Sequence, residues 1–167
     1  RPGSETINIA SAVKRLIVNV TRNWSKNSIL WNYAADPQFD PHTDNGGCSM
    51  CQGAITIDGD KVTRNIAYYT IAHASKFIRP GSVRISSTDA FDPGVDITED
   101  EERAEIRRAT VVEHSDVLPN VAFKTPEGKI VLVIANDSWS QQTAKIQYNG
   151  RFANLHLAPG SVGTFIW

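Results

Sequence analysis

The apolar positions of this chain change period partway along it. Between Ser4 and about Ser25, Ile9, Val13, Leu16, Ile17, Val20 and Trp24 recur at steps that place them on one face of a helix. Ser4 is placed to cap that helix, and Glu5 lies in its first turn, where the helix dipole favours an acid. The run Ile29-Leu30-Trp31-Asn32-Tyr33-Ala34 is too short for a helix and is bounded by Lys26-Asn27 and Asp36-Pro37, which predicts a buried strand. A long loop over 36–53 follows, rich in Pro, Asp, Asn and Gly; such loops are uncommon inside compact domains and are often functional. Asp58-Gly59-Asp60 between the β-prone stretches 54–57 and 61–63 predicts a tight hairpin. A second helix is expected from about Arg64 to Ile78, with Ile66, Tyr69, Thr70, Ala74 and Phe77 on one face and Pro80-Gly81 ending it.

After Gly81 the period becomes two. Strands are predicted at 82–86, 109–114, 120–124, 129–136, 143–148, 151–157 and 161–167. Pro126-Glu127-Gly128, the polar stretch 137–142, Asn149-Gly150 and Pro159-Gly160 supply the turns between the last five. Ile130-Val131-Leu132-Val133-Ile134 is apolar on both faces, as a central strand is. Many short strands at close spacing point to a β-sandwich. One stretch breaks the pattern: 88–108 carries Asp89, Asp92, Asp96, Glu99, Asp100, Glu101, Glu102 and Glu105, and reads as a solvated insertion with a short helix over 99–108. Its acidic spacing matches no EF-hand loop.

Composition narrows the possible chemistry. At 167 residues and 41% hydrophobic content the chain builds one ordinary core, or pieces of two. A net charge of −1 gives no bulk support for nucleic-acid binding. No apolar run approaches the roughly 20 residues of a membrane span, and the opening Arg1-Pro2-Gly3-Ser4 lacks a signal-peptide layout. Cys48-Ser49-Met50-Cys51 lacks the four ligands of a structural zinc site, with only His42 nearby, and its glycine-rich flanks do not suit a thioredoxin-type helix start. Two free thiols or one short local disulfide remain. His73 is read as a structural hydrogen-bonding residue between two parts of the chain; His114 and His156 fall on strands without a triad or metal cluster around them. No phosphate loop or cofactor motif appears, so neither a metal nor a cofactor is expected. The sequons at Asn19, Asn23 and Asn136 lie on a predicted helix and at the end of a buried strand, where chance occurrence is the better account.

Several ordered motifs together resemble one family. They are Asn23-Trp24-Ser25-Lys26, Trp31-Asn32-Tyr33-Ala34-Ala35-Asp36-Pro37, Pro41-His42-Thr43-Asp44-Asn45-Gly46-Gly47-Cys48 and Tyr68-Tyr69-Thr70-Ile71-Ala72-His73-Ala74-Ser75-Lys76-Phe77-Ile78-Arg79-Pro80-Gly81, with Val131-Leu132-Val133-Ile134-Ala135-Asn136 and the tail Ser161-Val162-Gly163-Thr164-Phe165-Ile166-Trp167. They are similar to the C-terminal portion of glycoside hydrolase family 30, whose members include glucosylceramidase-like enzymes and endo-β-1,6-glucanases. The resemblance covers nearly the whole chain outside the acidic stretch. It implies a mixed α and β fold: residues 1–80 as the last helix-strand-helix part of a (β/α)8 barrel, and residues 81–167 as an antiparallel β-sandwich with the insertion 88–108.

The same resemblance implies function. The parent reaction is retaining hydrolysis of a β-glucosidic bond, in glucosylceramide or a β-1,6-glucan, by two glutamates on earlier barrel strands. No glutamate here matches either position, so no catalytic residue is assigned and the chain alone is expected to be inactive. Trp31 matches the tryptophan that walls the sugar subsite, Asn32 is a weaker substrate-binding candidate, and the Cys48/Cys51 pair would stiffen the loop at the substrate face. The implied partners are a β-glucoside (glycan or glycolipid) and the upstream barrel half of the same enzyme, with no nucleic acid and no membrane span. The implied location is secreted, periplasmic or at the cell surface. A different class of reading is a non-catalytic carbohydrate-binding or structural sandwich, with Trp139 and Tyr148 as exposed aromatics.

Overall fold

The computed structural model describes residues 8–43, 45–46, 48–88 and 118–167. The proposed cap Ser4, the acidic stretch, the strand expected at 109–114 and His114 lie outside the described residues.

The chain enters as one helical segment in three parts: α1 (Ile9–Val13), a π-helical turn (Lys14–Val18) and α2 (Asn19–Arg22). Asn8 caps it, its side chain accepting a hydrogen bond from the Ser11 amide at 2.8 Å. The segment ends before Trp24, which takes a positive φ of 66° and lies exposed beneath the Arg84 guanidinium, 4.3 Å away. Trp24 therefore does not continue the buried stripe that its spacing predicts. Next come β1 (Ala34–Ala35), β2 (Ile55–Asp58) and β3 (Lys61–Arg64), in the sheet order β1-β2-β3. β1 and β2 are parallel, while β2 and β3 form the predicted hairpin, with Gly59 at φ 55° in its turn. Helix α3 (Ile66–Ser75) follows.

The strand expected over 29–34 is corrected to Ala34–Ala35 alone, and it is not a buried strand. Ile29 is 90%, Trp31 65% and Tyr33 74% exposed. The physical reason is that β2 pairs with this segment only from Ala34 on, and nothing among the described residues covers the apolar side of Ile29, Trp31 and Tyr33.

The remaining strands are β4 (Val83–Ile85), β5 (Asn120–Lys124), β6 (Ile130–Ala135), β7 (Gln142–Tyr148), β8 (Arg151–Leu157) and β9 (Val162–Ile166). Four form an antiparallel sheet in the order β4-β5-β6-β9, and β7 pairs with β8 as a separate hairpin. β6 is central and buried along its whole length, as its two-faced apolarity predicts. Asn149 (φ 47°) and Gly150 (φ 75°) make the β7–β8 turn, where both central residues need the left-handed region.

One face of the four-stranded sheet is covered by helix rather than by a second sheet. Val121, Phe123 and Val133 meet Val13, Ile17 and Val18 of the helical segment, with Ile9, Ala74, Ile78 and Val162 packed around them. The opposite face carries Ala122, Leu132 and Ile134 and looks toward Ala144 and Ile146 of the hairpin across a gap of about 470 Å³. On α3, Thr70 is the fully buried residue, while Ile66 and Tyr69 from the predicted inner face are exposed.

Polar links close the helix–sheet contact. Arg22 donates through Nε to the Asn120 carbonyl at 2.6 Å and through Nη2 to the Ser87 carbonyl and hydroxyl at 3.0 and 2.8 Å. Lys14 pairs with Asp137 at 2.6 Å. His73 of α3 and Thr164 of β9 are linked twice: the imidazole Nδ1 lies 2.9 Å from the hydroxyl, and the hydroxyl donates to the His73 carbonyl at 3.2 Å. The structural role expected of His73 is what this geometry shows.

Burial lowers the His73 pKa below its ordinary 6.5, because desolvation disfavours the imidazolium. The unfolded chain then takes up the proton more readily. The contribution of neutral His73 is complete above pH 6.5 and is lost as pH falls from there through the lower folded value. Thermal unfolding measured from pH 8 to pH 5 should show this loss, and His73→Gln should flatten it; equal slopes for both proteins would contradict the assignment.

Candidate functional site

Trp31 and Asn32 are set by the β1–β2 pairing that follows them. The carbonyls of Asn32 and Tyr33 accept from the amides of Ala54 and Ile55 at 2.9 and 3.0 Å, so the backbone of the segment is held by the start of β2. The indole of Trp31 is left open to solvent. The Trp31–Asn32 peptide is cis.

Gly53 is wedged against this segment. A Cβ at position 53 would fall 2.7 Å from Asn32 Oδ1 and from the Ala35 amide nitrogen, so only glycine fits. The Asn65 amide fixes the same point from the other side, donating to the Gly53 carbonyl at 2.8 Å and to Thr56 Oγ1 at 2.9 Å. Asn32 Oδ1 is itself buried and has no donor among the described residues. A buried acceptor without a partner is rare in a complete fold and asks for a donor from elsewhere. Sequence reasoning finds Trp31 and Asn32 only through their resemblance to a family motif. Gly53 and Asn65 it misses, because their role is a contact across the loop rather than a local pattern.

The described residues of 36–53 form a loop, as expected. Its outgoing limb is folded on itself: Asp36 Oδ1 accepts from the amides of Gln38 and Asp40 at 2.8 and 2.9 Å, and Asp40 pairs with His42 at 2.9 Å. Of the alternatives for the two cysteines the structure takes the disulfide, Cys48 to Cys51, with Cα atoms 5.4 Å apart.

The described carboxylates are spread over separate parts of the fold. Asp36 and Asp40 serve the loop, Asp58 and Asp60 stand at the hairpin turn, Asp137 holds Lys14, and Glu127 lies in the β5–β6 turn. Among the described residues no cluster of three His, Cys, Asp or Glu could hold a metal, and no helix is long and apolar enough to cross a membrane. Of the two aromatics proposed for a carbohydrate-binding sandwich, Tyr148 stands edge-on to Trp167 at 5.7 Å and Trp139 is 96% exposed. Asn136 is wholly buried, so its sequon is closed to glycosylation in the folded chain.

A four-stranded antiparallel sheet backed by helices and faced by a hairpin defines the class of this molecule. The C-terminal part of the chain is similar to the corresponding part of glycoside hydrolase family 30. Residues 107–165 match the glycosyl hydrolase family 30 β-sandwich domain. Among curated proteins it is similar to the endo-1,6-β-D-glucanase neg1 of Aspergillus fumigatus, 36% identical over 70 residues, which is 42% of this chain and 14% of that protein. Endo-1,6-β-D-glucanase BGN16.3 of Trichoderma harzianum is 34% identical over 70 residues, with the same shares. Among solved structures, the endo-β1,6-glucanase BT3312 superposes with a TM-score of 0.72 at 23% identity, over 95% of this chain and 30% of that one. SrfJ from Salmonella typhimurium gives 0.71 at 21% identity, over 99% and 32%. The chain thus spans about a seventh of the curated relatives it matches and about a third of these solved structures.

Proposed function

We propose that this chain is the C-terminal part of a retaining β-glycosidase that acts on β-1,6-linked glucan. The observation that carries the reading is the naming of the matched curated relatives, each an endo-1,6-β-D-glucanase at a third or more identity over the matched segment. That favours a glucan over glucosylceramide as substrate, and with it a place of action outside the cell, where such polymers lie.

In this reading residues 1–80 are the end of a (β/α)8 barrel. The open sides of Ile29 and Tyr33 are where neighbouring barrel elements would pack, and residues 81–167 brace the barrel from outside. Trp31 walls the sugar subsite: a flat indole suits the C–H face of a pyranose, and its N–H can donate to a hydroxyl. Asn32 Oδ1 receives the donor it lacks from the substrate or from the completed barrel. The two carboxyl groups that retaining hydrolysis requires, about 5–5.5 Å apart, come from polypeptide outside these 167 residues.

Two assays test this. The 167-residue chain alone should release no reducing ends from a linear β-1,6-glucan. In the protein that contains the whole barrel, Trp31→Ala should lower kcat/KM by about 10- to 100-fold. Turnover by the isolated chain, abolished by replacing one of its own carboxylates, would overturn the proposal.

A further inference from the structure

The Cys48–Cys51 bridge closes a very short ring, with a sequence separation of 3, so it removes little entropy from the unfolded chain compared with a long-loop bridge. Its effect must be local. Cys51 lies two residues before Gly53, the residue clamped between Asn65 and Asn32. Gly53 leads directly into Ala54 and Ile55, whose amides hold the carbonyls of Asn32 and Tyr33. The outgoing limb of the loop is fixed by its own hydrogen bonds around Asp36. Among the described residues, by contrast, no side-chain hydrogen bond reaches Cys48, Ser49, Met50, Cys51 or Gln52, which leaves the disulfide as the side-chain tie on the return limb. Cys48 is exposed and Cys51 partly so, open to a small reductant.

We propose that the Cys48–Cys51 disulfide is a redox-sensitive positioning staple: it holds the return limb so that Gly53 and Ala54 keep the Trp31–Asn32 segment in place, and its reduction loosens that segment. The chemistry is thiol–disulfide exchange with a dithiol. One thiolate of the reductant attacks a sulfur of the bridge and forms a mixed disulfide. The second displaces it, leaving Cys48 and Cys51 as thiols and the reductant as a cyclic disulfide, with two electrons and two protons transferred. The functional consequence rests on the proposed sugar-subsite role of Trp31; the positional one does not.

Hydrogen exchange on the folded 167-residue chain, with and without dithiothreitol, tests the staple without any substrate. Amides of Ala54 and Ile55 should exchange about ten-fold faster after reduction, while those of the β5 and β6 strands keep their rates. A Cys48→Ser/Cys51→Ser variant should show the fast rates from the outset and no response to reductant. Unchanged exchange at 54–55, or faster exchange throughout the molecule, would overturn the proposal: the first denies the local effect and the second makes the bridge a global brace. In the protein with its whole barrel, reduction should raise KM for β-1,6-glucan by about three- to ten-fold with a smaller change in kcat. A local exchange effect without that KM shift would reject the subsite reading of Trp31 and leave the staple standing.

Discussion

Residues 82–167 produced without the helices will not unfold cooperatively. Val121, Phe123 and Val133 are buried against Val13, Ile17 and Val18, not against a second sheet. Removing the helices exposes three large apolar side chains at roughly 1.5–3 kcal/mol each, together about 5–9 kcal/mol. That is comparable with the whole stability of an ordinary domain, about 5–15 kcal/mol. The separated strands also lose the Arg22 guanidinium from the carbonyls of Asn120 and Ser87. Circular dichroism of residues 82–167 against the full chain checks this. A sigmoidal thermal transition in the shorter piece would show that the sandwich stands alone. The consequence is practical: glycan binding by the sandwich has to be tested on the intact chain.

The second large effect is expected at Asn136. Its side chain is fully buried where β6 ends. The amide nitrogen donates to the carbonyls of Ser140, Leu157 and Ala158 at 2.8, 3.0 and 3.0 Å, and Oδ1 accepts from the Ser138 amide and hydroxyl at 3.1 and 2.7 Å. One side chain thus joins the loop after β6 to the end of β8. Asn136→Ala removes all five bonds, but Ser138 Oγ still donates to the Ser140 carbonyl and Ser161 to that of Ala158, so the unmet loss falls mainly on the buried bond to Leu157 and about 1–3 kcal/mol is expected. Asn136→Asp keeps the shape but replaces the donor with an acceptor facing carbonyls, and should lose at least as much at neutral pH. Urea unfolding of both variants measures it, and a loss below about 1 kcal/mol in either would show that water takes over the network.

The family resemblance and the fold were legible to different degrees. β5 and β8 fall on the residues that period-two alternation predicts, and β6 is central because Ile130 to Ile134 has no polar face to give to solvent. The hairpin at Gly59 and the turn at Asn149-Gly150 follow from residues that tolerate positive φ. These features depend on neighbours in sequence. The site was legible only in part. Trp31 and Asn32 stand out as a motif, yet the clamp on them is made by Gly53 and Asn65, which no local pattern distinguishes from ordinary loop residues.

What the sequence determined by itself is the kind of most of the described elements and the turns between the last strands, since side-chain periodicity and φ preferences act over a few residues. What only the tertiary structure decided is which apolar face meets which. The stripe on residues 9–22 states that burial is needed, but not that the sheet face of Val121 and Val133 supplies it. An apolar run at 29–33 reads as buried, yet it lies open here, because burial is a property of two surfaces and a strand's own residues specify only one.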